Sequence, residues 1–200
     1  MNDLKDKVVL ITGAGRGAGR ALSESLAQKG AFIAANDISP LNVEDVVSSI
    51  NLHGGKAKAY IEDVAKKVGV QALVRAVEDD FGRIDILINH AAVKPSSSLL
   101  DMDEWDWHRT LDVNLTGAFL MIQTVGRVMR EQGHGEILNI VTGAGKSGEK
   151  DAGAYLSSKA GLVDLSHQAD MELSPYGIRV YEIINSENVV NEVLSLLEAK

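Results

Sequence analysis

The chain has 200 residues, 45% hydrophobic and 24% charged, with a formal net charge of −8 and no cysteine. This fits a single soluble globular domain over residues 1–200 with enough apolar material for its own core. The lack of thiols excludes a disulfide framework, a thiolate zinc site and a cysteine nucleophile, and the acidic balance argues against nucleic-acid or anionic-membrane partners. No apolar run approaches the ~18 residues of a membrane span, and Met1–Val9 lacks a signal-peptide core, so the cytoplasm is the default expectation.

Short apolar runs alternate with helical patterns along the chain. Val8–Ile11 predicts a buried strand closed by Gly13, and Arg20–Lys29 a helix stopped by Gly30. Phe32–Asn36 predicts a second strand. Leu41–Ile50 reads as a helix capped by Ser39 with Pro40 at its first position, broken by Gly54-Gly55. Ala57–Ile61 follows as a strand, Lys66–Phe81 as a helix ending at Gly82, and Ile84–Ile88 as an apolar strand. Asp101 and Glu104 make a capping pair for one long helix reaching about Glu131. Ile137–Val141 predicts the fifth strand, Ala152–Ser174 a helix stopped by Pro175, Ile178–Ile184 the sixth strand, and Asn188–Ala199 a last amphipathic helix. This alternation predicts an α/β fold: a Rossmann-like, doubly wound parallel sheet of about six strands with helices on both faces.

Between the first strand and helix lies Thr12-Gly13-Ala14-Gly15-Arg16-Gly17-Ala18-Gly19. Glycines there permit a tight turn and let main-chain amides approach a pyrophosphate at a helix N-terminus, where the dipole favours negative charge. A glycine-rich turn alone is weak evidence, but the strand before and helix after it supply the required context. Asp37, at the end of the second strand, is placed to bind the adenosine ribose hydroxyls of NAD. Its charge would repel the 2′-phosphate of NADP, whereas Arg16 could reach that phosphate or simply be solvated; the balance favours NAD. No Gly-Lys-Ser/Thr follows the loop, against a Walker-type nucleotide site.

Tyr155 and Lys159 lie four residues apart on a predicted helix and so share a face. A lysine ammonium beside a tyrosine stabilises the phenolate, fitting the phenol to exchange a proton with an alcohol or carbonyl. On its own such a pair fits a solvated surface contact equally well; the phosphate loop gives it its chemical reading.

Together these motifs resemble the short-chain dehydrogenase/reductase family, classical type. The Thr12–Gly19 loop matches the family's cofactor loop, and Asp63-Val64 its adenine-contacting pair. Asn89-His90-Ala91-Ala92 is similar to its Asn-Asn-Ala-Gly turn, Asn114 to the asparagine that helps hold a relay water, and Tyr155-Leu-Ser-Ser-Lys159 to its active-site motif. The resemblance implies Tyr155 as general acid/base, Lys159 as its pKa-lowering partner and ribose ligand, and Asn114 as support for the water relay. It assigns cofactor contacts to Gly13, Gly15, Arg16, Gly17, Ala18, Gly19, Asp37, Ile38, Asp63, Val64, Asn89, Ala91, Tyr155 and Lys159.

Three positions depart from the family pattern. Thr142 stands where a serine is usual and is expected to orient the substrate oxygen despite its extra methyl. His90 and Ala92 replace asparagine and glycine, and His90 reads as a packed polar residue; no metal is assigned. Ile184-Asn185-Ser186-Glu187 leads almost directly into the last helix, where the family carries Pro-Gly and a segment covering the substrate. The sixth strand is therefore expected at a sheet edge, covered by the last helix through Val189, Val190, Val193, Leu194 and Leu197 or paired with another chain.

The expectation is an NAD(P)-dependent oxidoreductase of small secondary alcohols or ketones. The alternative is an NAD(H)-binding protein with little turnover, a sensor or partner subunit. A homodimer is expected through the 103–131 and 152–174 helices, with Phe119, Met121, Val125, Leu162 and Val163 on their outward faces.

Overall fold

The computed structural model describes residues 4–141 and 150–199. Thr142 lies outside them, and with it the serine-like position expected to orient substrate.

Six parallel strands form one sheet: β1 (Val8–Thr12), β2 (Phe32–Asp37), β3 (Lys56–Ile61), β4 (Ile86–Asn89), β5 (Gly135–Val141) and β6 (Ile178–Ile184). Their order is β3-β2-β1-β4-β5-β6. Every residue of β1 is buried because helices cover both sheet faces. The period-2 alternation divides its side chains between two cores. Val9 and Ile11 pack with α1 (Gly17–Gln28), α2 (Pro40–Leu52) and α7 (Val189–Glu198). Val8 and Leu10 pack in the opposite core, with α3 (Lys67–Phe81) and α5 (Gly117–Gln132). α6 (Gly153–Leu173) lies on that side too, contributing Ala169. No helix among the described residues is long and apolar enough to cross a membrane.

The predicted elements all form, with three revisions. The strand expected at 84–88 pairs over Ile86–Asn89, while the Asp85 carboxylate accepts the Val8 N–H at 2.8 Å. The single long helix after β4 is two helices. α4 (Glu104–Leu111) joins α5 through a π-helical turn at Asp112–Thr116. Its cap is Asp103, whose Oδ1 accepts from Trp105 N at 2.7 Å; Asp101 instead accepts from Ser98 Oγ at 2.6 Å. The added residue of a π turn shifts the helical phase, and here Asn114 points inward. The expected outward face is also corrected: Met121, Val125 and Leu162 are buried against the sheet or neighbouring helices, whereas Phe119 is exposed.

β6 is at the sheet edge, as expected. The α7 stripe folds back within the chain: Val189, Val193 and Leu197 are buried with Ile183 of β6 and Leu22 and Leu26 of α1. Lys29 and Glu198 close that contact at 2.7 Å. Leu197→Ala leaves a cavity in this seam and should cost about 2–4 kcal/mol, read as a lower urea midpoint with unchanged slope. An unchanged midpoint would mean that α7 is not docked on α1.

Candidate functional site

β1 and β4 are neighbours in the sheet but far apart in sequence, and the chain leaves them toward opposite faces. A crevice opens beyond their C-terminal ends, as it does wherever strand order reverses in a doubly wound sheet. It is a cleft of about 510 Å³. Segments after all of β1, β2, β3, β4 and β6 reach it, with Ile140 of β5 and Tyr155 and Lys159 of α6.

Thr12, the last residue of β1, joins the two central loops. Its Oγ1 accepts from His90 N at 3.1 Å and Ala91 N at 3.2 Å. The approach is so close that Gly13, at φ +67°, has no room for a side chain: a Cβ would lie 2.8 Å from Ala91 Cα. A Cβ on Gly19 would run into the Gly13 carbonyl oxygen. Gly17 begins α1 at φ +54°, and Arg16 provides no side-chain cap. The first amides of α1 are thus left for an incoming acceptor, and their dipole favours an anion.

Beside the loop, Asp37 is held in place by two amides, Gly15 N at 2.9 Å and Ser39 N at 3.0 Å. Asp63 accepts from Ala65 N at 3.0 Å and pairs with Arg109 of α4 at 3.3 Å. Arg16, Ile38 and Val64 complete this acidic half of the cleft.

At the other end, α6 turns Tyr155 and Lys159 inward, 8% and 4% exposed. Lys159 Nζ donates to the Ile140 carbonyl at 2.7 Å and lies 6.0 Å from the Tyr155 ring centre. Lys94 Nζ is 5.2 Å from the same ring centre. Burial disfavours the ammonium and lowers the Lys159 pKa to about 8.

Two predicted residues sit behind the cleft wall. Asn114 Nδ2 donates to Val93 O at 2.9 Å and Ser158 Oγ at 3.0 Å, while its Oδ1 accepts from Val93 N at 2.8 Å. It fastens the segment after β4 to α6. Asn89 Nδ2 donates to Asn139 Oδ1 at 2.8 Å, and Asn139 in turn to Ser166 Oγ at 2.9 Å, bracing β4, β5 and α6. Gly13, Arg16, Asp37, Ile38, Asp63, Val64, Ala91, Tyr155 and Lys159 line the cleft itself.

The sequence motifs contain Thr12 and Ser158 without giving them a role of their own, and Arg109 stands in none of them. Thr12 is the polar end of an apolar strand, which is a usable signal. Ser158, buried and donating to Tyr155 O at 2.7 Å, carries none beyond its place in the Tyr155–Lys159 motif.

Residues 7–187 match the family model for short chain dehydrogenase. The chain belongs to that family. It is 39% identical over 180 residues to a D-threitol dehydrogenase of Mycolicibacterium smegmatis, covering 90% of this chain and 69% of that protein. It is 35% identical over 181 residues to an NAD-dependent glycerol dehydrogenase of Listeria innocua, covering 90% and 70%. The crystal structure of an NAD+-bound xylitol dehydrogenase superposes with a TM-score of 0.87 at 33% identity, over 96% of this chain and 76% of that one. A metagenomic short-chain oxidoreductase in complex with NADP gives 0.92 at 29% identity, over 98% and 91%.

The buried ammonium has a stability signature. Between about pH 8 and the ordinary lysine value of 10.5 the unfolded chain holds a proton that folded Lys159 has lost. Stability therefore rises with pH across that window, by about 3 kcal/mol in all. Chemical unfolding across the window should show this rise for the wild type relative to Lys159→Met. Parallel curves would contradict it.

Proposed function

We propose that the protein is an NAD(H)-dependent oxidoreductase that interconverts small secondary alcohols and ketones, with Tyr155 as general acid/base. The observation that carries this reading is that Tyr155 and buried Lys159 open into the same cleft as a glycine loop in which Gly13 and Gly19 have no room for a Cβ. That cradle fits a dinucleotide, because a diphosphate needs main-chain amides at close range.

In this reading Gly13–Gly19 take the diphosphate, Asp37 the adenosine ribose hydroxyls, Asp63 and Val64 the adenine, and Lys159 the second ribose. Bound there, the nicotinamide supplies or accepts the hydride. Tyr155 protonates the oxygen of a ketone as it is reduced, or takes the hydroxyl proton of an alcohol as it is oxidised. The Lys159 ammonium, 6.0 Å from the Tyr155 ring centre, is the positive charge that favours the resulting phenolate. Thr142 is assigned to orient the substrate oxygen. Asn114 supports the relay that returns the proton to solvent, and its bonds to Val93 and Ser158 hold α6 in phase with the cleft.

NAD is favoured over NADP because Asp37 is held toward the loop by two amides. A 2′-phosphate placed beside that carboxylate would meet like charge. Asp37→Ala should relax this preference. We also propose a homodimer through α5 and α6. Phe119, Ile122, Leu165, Leu173 and Tyr176 line a groove of about 340 Å³ between these helices, and sedimentation giving a stable monomer would remove the dimer.

The test of the reaction is Tyr155→Phe, assayed with alcohols and ketones against NAD and NADH. Turnover should fall by at least ~100-fold, the range of a lost general acid/base, while NADH affinity changes little. Equal turnover would remove Tyr155 from the mechanism. NADH binding without turnover in the wild type would replace an enzyme by a cofactor-binding protein.

A further inference from the structure

His90 puts an imidazole in the turn after β4, directly against the glycine loop. The ring's place is fixed from two sides. Its backbone N–H donates to Thr12 Oγ1, and its Nδ1 lies 3.2 Å from the Gly13 carbonyl oxygen. A Cβ on Gly19 would come within 2.8 Å of the same nitrogen. The ring therefore supports the loop from beneath and also lines the cleft.

A ring nitrogen facing a carbonyl oxygen carries a hydrogen, so Nδ1–H donates to Gly13 and Nε2 keeps the lone pair. The charged groups acting on the ring are Lys159 of α6, which opposes a second proton, and Asp37 at the end of β2, which favours one. Burial is the largest influence and keeps the imidazole pKa below its ordinary value of 6.5, against the pull of the Gly13 carbonyl.

We infer that His90 couples cofactor binding to a proton: neutral in the free protein, it takes up a proton when a diphosphate settles on the Gly13–Gly19 loop. Affinity for diphosphate-bearing ligands then rises as pH falls. The physical reason is that an anion placed on the loop adds negative charge beside a partly buried imidazole and favours the imidazolium, and linkage makes the effect reciprocal. The inference rests on the cofactor reading above. It adds a positioning residue whose charge responds to the ligand.

ADP-ribose tests this directly, since it carries the diphosphate without the nicotinamide. Calorimetric titration in two buffers of different ionisation enthalpy should show a fraction of a proton taken up per molecule bound near neutral pH. The full gain is roughly threefold for each half-unit by which binding raises the His90 pKa and is reached only below the free-state value, so between about pH 8 and about pH 6 the affinity should rise by part of that factor. His90→Asn should reduce the uptake and flatten the pH dependence below about pH 7 while still binding ADP-ribose, leaving only the share of Lys159, whose pKa is lowered to about 8. NMR titration of the wild-type histidines gives the same answer without a variant: His53, His108, His134 and His167 are exposed references, and one ring should shift its titration upward on ADP-ribose binding. Binding with no proton uptake, or uptake unchanged in His90→Asn, overturns the inference and leaves the cofactor reading standing. No binding at any pH overturns both.

Discussion

The close approach of the loop after β1 to the turn after β4 governs the rest of the site. It is set by one hydroxyl, Thr12 Oγ1, which accepts two amides of the β4 turn, and by glycines at positions 13 and 19, where a Cβ would meet main chain. Because the two loops touch, α1 starts next to the crevice, with Gly13 and Arg16 of the preceding loop lining it. Asp37 then lies within reach of Gly15 N. The acidic half of the cleft thus follows from a packing constraint in which no catalytic group takes part.

The other half depends on an energetic conflict. Lys159 is 4% exposed and keeps an ammonium next to Tyr155 although burial opposes its charge. Keeping such a charge buried costs stability. A set of neutral hydrogen bonds ties α6 to the segment after β4. Asn114 ties Val93 to Ser158, and Ser158 ties back to the Tyr155 carbonyl. Asn114 makes its bonds to Val93 and Ser158 from the π turn, a local irregularity in the α4–α5 rod. The two halves meet at His90, which touches the glycine loop and feels both Asp37 and Lys159.

Much of this was readable from residue order. Apolar runs such as Val8–Ile11 and Ile137–Val141 can only be strands buried on both faces, and the doubly wound sheet follows from their alternation with helices. The glycine spacing, Asp37, and the Tyr155–Lys159 interval located both ends of the cleft. The α7 stripe found its partner in α1, because five apolar residues at helical spacing must cover something. The π turn at Asp112–Thr116 was not readable: Leu-Asp-Val-Asn-Leu-Thr continues a helical pattern, and the extra residue is selected by tertiary contacts. Met121 and Val125 lie on the side of α5 opposite Phe119, so the three cannot share an outward face; helical spacing alone separates them. Asp103 displaced Asp101 as the cap because both are competent and only the path of the preceding loop decides between them.

Main-chain amides of the Gly13–Gly19 loop are proposed to form a diphosphate cradle whose close packing depends on Gly13 and Gly19 lacking a Cβ. Calorimetric titration of NADH into the wild type and into Gly19→Ala, both checked for native circular dichroism, tests it most directly. The account predicts saturable binding at a single site per chain in the wild type and its loss in Gly19→Ala, whose methyl must push the Gly13 carbonyl aside. Equal affinity in the two proteins, or no affinity for either pyridine nucleotide in the wild type, would contradict it.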